Sequence, residues 1–320
     1  MTTPSQLTRA ADGPGPARAR PAGEPARARR RHDRRARLAG FLWLLPALVL
    51  VVGVVHVGIV YNAVISTTDW NGIAPTRNPV GLDNYTAILS DDVFLAALRN
   101  TAVYAVAVTV LQLGAGLAVA VLVRTQARGR NLLRVLIFVP VVLSPAIIGT
   151  TARYLLDQDG ALNGLLRAAG LGDLVRPWLA DSSFALATLV VITVWQYTGY
   201  SFVIYDAAIS QVDPATLEAA QIDGAGNLRM FTSVVLPHLR GAHLVLIVLT
   251  AISSLKTFDL VMLTTAGGPG TSTELLTLHI YEQTILRFHA GYGAALSLVL
   301  VAIALVFAVL QVRLSRLREV

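Results

Sequence analysis

Cysteine is absent from the 320 residues, which excludes disulfides and thiolate metal sites but does not by itself place the chain in a compartment. Lysine is nearly absent, since Lys256 is the only one and Leu255 precedes it. A phosphate-binding loop needs glycines whose amides cradle phosphate and a lysine that reaches it, so this chain is not a self-contained ATPase. Charge of either sign is scarce: 14% of residues are charged against 54% hydrophobic, and the mean hydropathy is +0.61. That is too apolar for a soluble domain of this size and defines a polytopic membrane protein.

What charge there is lies mostly at one end. Residues 1 to 39 hold Arg9, Arg18, Arg20, Arg27, Arg29, Arg30, Arg31, Arg34, Arg35 and Arg37 against Asp12, Glu24 and Asp33, a surplus equal to the whole formal charge of +7. The rest of the chain sums to zero, so the high pI describes a tail and not a folded basic face, and no nucleic-acid partner is expected. A segment rich in Pro, Gly, Ala and Arg cannot bury enough apolar surface to order itself, and residues 1–38 are expected to be a disordered cytoplasmic tail. The apolar run that follows is longer than a signal-peptide core and lacks a small-residue cleavage site, which reads as an uncleaved anchor.

About 20 apolar residues cross a bilayer as a helix, and lipid tolerates no open backbone. Six segments qualify, at 39–63, 97–123, 132–153, 184–207, 242–264 and 294–313. The expected fold is therefore all-α and integral to the membrane, with residues 39–320 as one six-span domain. SDDVF predicts an N-cap at Ser90 with Asp91 and Asp92 in the first turn, where acids favour the helix dipole. In the same span Gly114 and Ala118, and Gly116 and Ala120, stand four apart and predict close helix approach.

Orientation follows from arginine in short loops. The tail, then Arg124, Arg128, Arg130 and Arg134, then Arg313, Arg316 and Arg318 belong on the cytoplasmic side, while the loops of the other parity are net acidic. Both termini are then cytoplasmic, and so is the stretch between spans four and five. That stretch is polar where its neighbours are apolar. Asp213-Pro214 predicts a helix start, Gly224 and Gly226 interrupt the helix, and a second helix from Asn227 carries Leu228, Phe231, Val234 and Val235 at helical spacing. Pro237 then bends the chain toward span five. Such a helix suits docking into a groove of another protein, or lying in the headgroup layer of membrane lipid. With only Arg229 and Arg240 against Asp213, Glu218 and Asp223, it lacks the basic face expected on an anionic leaflet, which favours the protein partner.

Glu218-Ala219-Ala220, then Gly224, then Val234 and Leu236-Pro237, is similar in residues and spacing to the EAA motif of binding-protein-dependent ABC importer permeases, with Val for the usual Ile. GLDNYTAIL, LRNTAVYA, FVPVVLSPAIIGTTARYLLDQDGALNGLL, VWQYTGY and FDLVMLTTAGGPGTSTELLTLHIYEQT resemble the carbohydrate branch of that family, which handles maltose, oligosaccharides and glycerol phosphate. The resemblance covers roughly residues 40 to 315. It departs at DAAIS, 206–210, where members carry a more apolar run, and in the long tail. The resemblance implies a permease subunit of an ATP-driven sugar or oligosaccharide importer in a bacterial cytoplasmic membrane. Its implied partners are a second, homologous permease, two ATP-binding subunits and an extracytoplasmic solute-binding protein. It also implies that Glu218, Ala219, Ala220, Gly224, Leu236 and Pro237 form a coupling helix seated in the ATPase. ATP and Mg would be used by that partner, and no cofactor is expected on this chain.

Polar residues inside spans mark pathways because they are expensive there. Trp195, Gln196 and Tyr200 in span four, and Lys256 and Asp259 in span five, are the candidate substrate path. Lys256 and Asp259 stand three apart, close enough on a helix to neutralise one another, so they read equally as a structural pair. Trp and Tyr also belong to interfacial belts. GGPG at Gly267–Gly270 lacks the lysine of a phosphate loop and reads as a turn. No metal site is expected: His238 and His243 are five apart without an intervening Glu, and His279 with Glu282 offers too few ligands. His56, in an apolar span, reads as a packed or interhelical hydrogen-bonding residue. A secondary transporter would show related halves or matching broken helices, and no clear repeat is present. A membrane enzyme would need a nucleophile-and-base or metal constellation within the spans, and none is found.

Overall fold

The computed structural model describes residues 43–125 and 129–316, so the tail expected at 1–38 lies outside the described residues, as do Arg128 and Arg318. Among the described residues there is no strand, only one isolated antiparallel bridge between Thr68 and Pro79. The helix α1, Trp43–Ile65, contains a π turn at Val51–His56. The described residues up to Ile59 belong to one compact unit and those from Val60 onward to a second. Trp43 is 84% exposed and Val54 70%, and a helix that is apolar and exposed all round belongs in lipid. His56, expected to be packed or bonded between helices, has its Nδ1 3.2 Å from the carbonyl of Val51 on its own helix.

In the second unit, the short α2, Asp83–Leu89, precedes α3, Asp92–Thr125. At about 1.5 Å per residue α3 is roughly 51 Å long, well beyond the ~30 Å hydrocarbon core. Its cap is Asp91 and not Ser90: Asp91 Oδ1 accepts from Val93 N at 2.8 Å and Phe94 N at 3.2 Å, while Ser90 closes α2. Next come α4, Arg130–Val142, and α5, Pro145–Leu155, which meet at 93°. Proline at 145 has no amide to give the preceding turn, and Ser144 caps the new helix by accepting from Ala146 N at 3.3 Å. The expected third span is therefore a broken one.

After α6, Ala161–Ala168, the chain forms α7, Ala185–Ile209, then α8, Pro214–Ile222, α9, Asn227–His238, and α10, Arg240–Leu255. The fifth span does not run unbroken to 264 as expected. It stops at Leu255, and a separate turn of helix, α11, covers Asp259–Thr264. The short α12, Leu276–Tyr281, leads to the last helix, α13, Ala290–Arg316. Among the described residues four helices, α1, α3, α7 and α13, are long and apolar enough to cross a membrane, and the number rises to six when the bent pairs α4 with α5 and α9 with α10 each count as one span.

The pair α3 and α7 forms the centre, with α4 and α10 packed beside it. Gly116 explains how closely they approach, since a Cβ there would stand 2.5 Å from that of Ser201. Its companion Gly114 faces nothing within 4 Å, so the expected small-residue pairing holds only for Gly116. Buried polar bonds cross the same seam: Tyr104 Oη and Thr193 Oγ1 are 2.6 Å apart, and Gln112 Nε2 donates to Ser201 Oγ at 3.0 Å. Three apolar clusters surround them, around Tyr104 and Leu189, around Phe202 and Leu246, and around Phe94 and Leu296.

Candidate functional site

The break between α4 and α5 is also where a cavity begins. A cavity of about 350 Å³ lies against α3, α5, α7 and α10, with Gln196, Tyr200, Lys256 and Asp259 in its lining. Four of the five expected path residues thus share one space. The fifth, Trp195, is 55% exposed and lies outside that lining. Gln196 has a second duty that its sequence position did not reveal: its Nε2 donates at 3.0 Å to the carbonyl of Leu143, which the helix break leaves without an amide partner. Irregular backbone at membrane depth is tolerated only where such partners exist or a cavity is lined.

Lys256 and Asp259 line the cavity without pairing. Among the described residues no ion pair joins them, because Lys256 caps the end of α10 while Asp259 opens α11, and the i,i+3 geometry of a continuous helix does not apply. The cavity therefore offers one cation, one carboxylate, amide and phenol groups, and apolar walls. That mixture suits a neutral polyhydroxylated ligand.

The stretch from 213 to 238 is a second candidate region. Val212 is 7% exposed and Leu239 0%, and no residue between them is buried. Asp213 caps α8 by accepting from Ala215 N at 2.9 Å, with Pro214 at the first helical position. The helix closes in a left-handed turn. Gly224 takes φ +78°, its N donates to Gln221 O at 3.0 Å, and Ala225 N reaches back to Ala220 O at 2.9 Å. This pair of bonds is the Schellman closure, so the three-residue gap between Ala220 and Gly224 is the spacing that the turn requires. In α9, a π turn at Phe231–Val235 precedes Pro237, and α10 leaves at 63°. Phe231, Val234 and Val235 are half-buried, but Leu228, expected on the same face, is 77% exposed, and Ile222 is 86% exposed.

Asp206, the departure within DAAIS, is explained by three arginines. Its carboxylate lies 2.9 Å from Arg124 Nε, 2.5 Å from Arg134 Nη2 and 3.5 Å from Arg130 Nη2, tying α3, α4 and α7 at one end. Arginines read as topology signals are also structural ions.

At the opposite end of α3, the chain from 265 to 289 folds inward. Gly267 and Gly270 take positive φ, so the GGPG run is a turn as expected. Asn100 Nδ2 donates to the carbonyls of Thr271 at 2.7 Å and Glu274 at 3.1 Å, and Thr101 Oγ1 accepts from Leu276 N at 3.0 Å. His279, fully buried, lies 3.2 Å from Asp91 Oδ2 through its Nε2, and Tyr292 Oη donates to the same oxygen at 2.7 Å. Burial works to raise Asp91, but bonds from Tyr292 and the amides of Phe94 and Val93 prevail and hold it below the usual carboxylate range. Burial also lowers His279, with the pull of Asp91 working the other way. Burial, helped by Glu282, pushes Glu274 up to about 7. Sequence spacing credited this region with too few ligands; the fold adds Glu274 to His279 and Glu282, with ligand atoms all within 4.8 Å of one another.

Broken helices around a polar cavity, on a scaffold of six apolar spans, define a polytopic membrane transport protein. The family described as binding-protein-dependent transport system inner membrane component matches residues 112–319, and the chain belongs to that family. A probable ABC transporter permease of Pyrococcus horikoshii is 34% identical over 83% of this chain and 91% of its own length. The diacetylchitobiose uptake system permease NgcF of Streptomyces coelicolor is 34% identical over 94% and 89%. AmyD of Thermoanaerobacterium thermosulfurigenes, a probable permease for transport of starch degradation products, is 32% identical over 88% and 94%. Among solved structures, a chain of a bacterial ABC transporter involved in import of the acidic polysaccharide alginate shares the fold. Its TM-score is 0.78 at 20% identity, covering 90% of this chain and 98% of that one.

Proposed function

We propose that this chain is the permease subunit of an ATP-driven importer for a sugar or oligosaccharide. A second, homologous permease would complete the path, two cytoplasmic subunits would bind and hydrolyse ATP with Mg, and an extracytoplasmic protein would deliver the solute. Gln196, Tyr200, Lys256 and Asp259 would touch the solute as it passes. A cavity of about 350 Å³ is at the small end of the ~300–1,000 Å³ usual for ligand sites, which fits one or two sugar rings at a time. Glycan-related names among the similar permeases support that class.

The observation that carries the proposal is the stretch 213–238, without a buried residue between two buried anchors yet held in shape by its own cap and closure. Glu218, Ala219 and Ala220 on α8, the Gly224 turn, and Leu236 and Pro237 at the bend would form the joint through which a docked ATPase moves α10. Since the family component is a permease and Lys256 is the only lysine, hydrolysis would belong to that partner. With 213–238 in the cytoplasm, both termini are cytoplasmic too. Reporter fusions at Arg229 should read cytoplasmic and at Gly270 external; a cytoplasmic Gly270 would overturn this orientation.

The test is reconstitution in proteoliposomes with labelled oligosaccharide. Uptake should require ATP, the second permease, the ATPase and the binding protein together. Uptake by this chain alone, driven by a proton or sodium gradient, would establish a secondary transporter instead.

A further inference from the structure

His279 Nδ1 and Glu274 Oε1 face one another at 3.9 Å, and neither has a hydrogen-bond partner among the described residues. Both are deep inside, with Glu274 4% exposed and His279 0%. With Nε2 directed at Asp91, Nδ1 is turned toward Glu274. Polar atoms left without a partner in a buried site are costly. The gap is too long for one proton to close as a hydrogen bond. Around a tetrahedral zinc with bonds of about 2.0–2.2 Å, neighbouring ligand atoms stand roughly 3.3–3.6 Å apart, so a small inward shift brings both atoms to one ion.

We infer that Glu274, His279 and Glu282 form a binding site for a first-row divalent cation of the zinc type, in the segment between α11 and α13. Glu282, half-buried, supplies the third ligand and the way in. One of its oxygens lies 3.7 Å from Arg287 Nη2, and Arg287 is more than half exposed, so it swings into solvent as the ion enters. One imidazole with two carboxylates is a nitrogen-and-oxygen set suited to zinc and its neighbours rather than to magnesium or calcium. The outer groups are in place as well. Histidine ligands to metals donate their other N–H to a carboxylate, and Asp91 does this here, itself fixed by Tyr292 and by the first amides of α3. A bound ion would clip α12 and the turn before it onto the end of α3. This inference does not rest on the transport proposal, because its measurement is bound metal and not uptake.

The full chain, purified in lipid nanodiscs and stripped with chelator, is loaded with Zn²⁺ and desalted before metal analysis. The wild type should retain one ion per chain beyond what Glu274→Gln or His279→Gln retains. Asp91→Asn, which leaves all three ligands in place and puts a side chain that can still cap α3 beside Nε2, should weaken binding by about 10–100-fold. His289→Gln, on a neighbouring residue outside the cluster, should change nothing. In a second arm that needs no variant, Co²⁺ loaded into the wild type should give the intense visible absorption of a four- or five-coordinate site. Equal zinc in wild type and Glu274→Gln, or a weak six-coordinate cobalt spectrum, would overturn the inference and leave a bridging water as the occupant.

Discussion

The two connections that flank α10 are built on opposite plans. Before it, residues 213–238 hold no fully buried residue and are shaped by local bonds, the cap at Asp213 and the closure at Gly224, with Val235 resting on the cluster around Phe202 and Leu246. After it, the stretch from 265 to 289 buries Leu275, Leu276, Leu278 and His279 and is bonded to α3 through Asn100 and Thr101. Exposed apolar residues are common on proteins, but an exposed, preformed helix pair bracketed by buried anchors is a surface prepared for something else. The second stretch finds its partners within its own chain. The difference locates stability on one side of α10 and a docking surface on the other.

Substitutions sharpen that contrast, and the largest effect belongs to the packed body just beyond the second stretch. At Gly291, where the N-terminus of α13 lies against the backbone carbonyl of Thr68, any Cβ would overlap that carbonyl. Gly291→Val should destabilise the chain by about 3 kcal/mol or more and lower its level in the membrane, measured by thermal unfolding in nanodiscs. Next comes Asn100→Leu, which strips the carbonyls of Thr271 and Glu274 of their donor and should cost about 2–4 kcal/mol in the same assay. On the exposed side, Ile222→Ser at a residue 86% exposed should stay within about 0.5 kcal/mol of wild type while reducing ATP-driven uptake. Equal stability losses at Ile222 and Asn100 would erase the contrast.

Much of this architecture was legible in the residues, for reasons that also mark the limits. Apolar runs bounded by arginine identified the spans, since lipid imposes length and composition directly. Asp213-Pro214 and Gly224 announced a helix start and stop because capping is local chemistry. The bends were harder. Pro145 sits in a run that reads as continuous hydrophobicity, and only the carbonyl of Leu143, met by Gln196 from a distant helix, shows how the break is supported. The pairing expected of Lys256 with Asp259 assumed a helix that in fact ends at Leu255. Asp206 looked anomalous until arginines from two other helices closed around it. The cluster at His279 was out of reach for the same reason, as Asp91 and Tyr292 meet it only through the folding of α3 and α13.

The most direct test of the account is Gly224→Val. Gly224 takes φ +78° with nothing within 4 Å of a Cβ there, so valine strains the closing turn by about 1–2 kcal/mol while leaving the spans and their packing untouched. Copies of the variant and wild type, at matched membrane levels, are assayed for ATPase co-purification and for substrate-stimulated ATP hydrolysis in proteoliposomes. The account predicts a normally inserted chain that has lost the ATPase or its coupling, with uptake abolished. Full assembly and wild-type uptake by Gly224→Val would contradict it, and a helix lying in the lipid headgroups would then be the better description of residues 213–238.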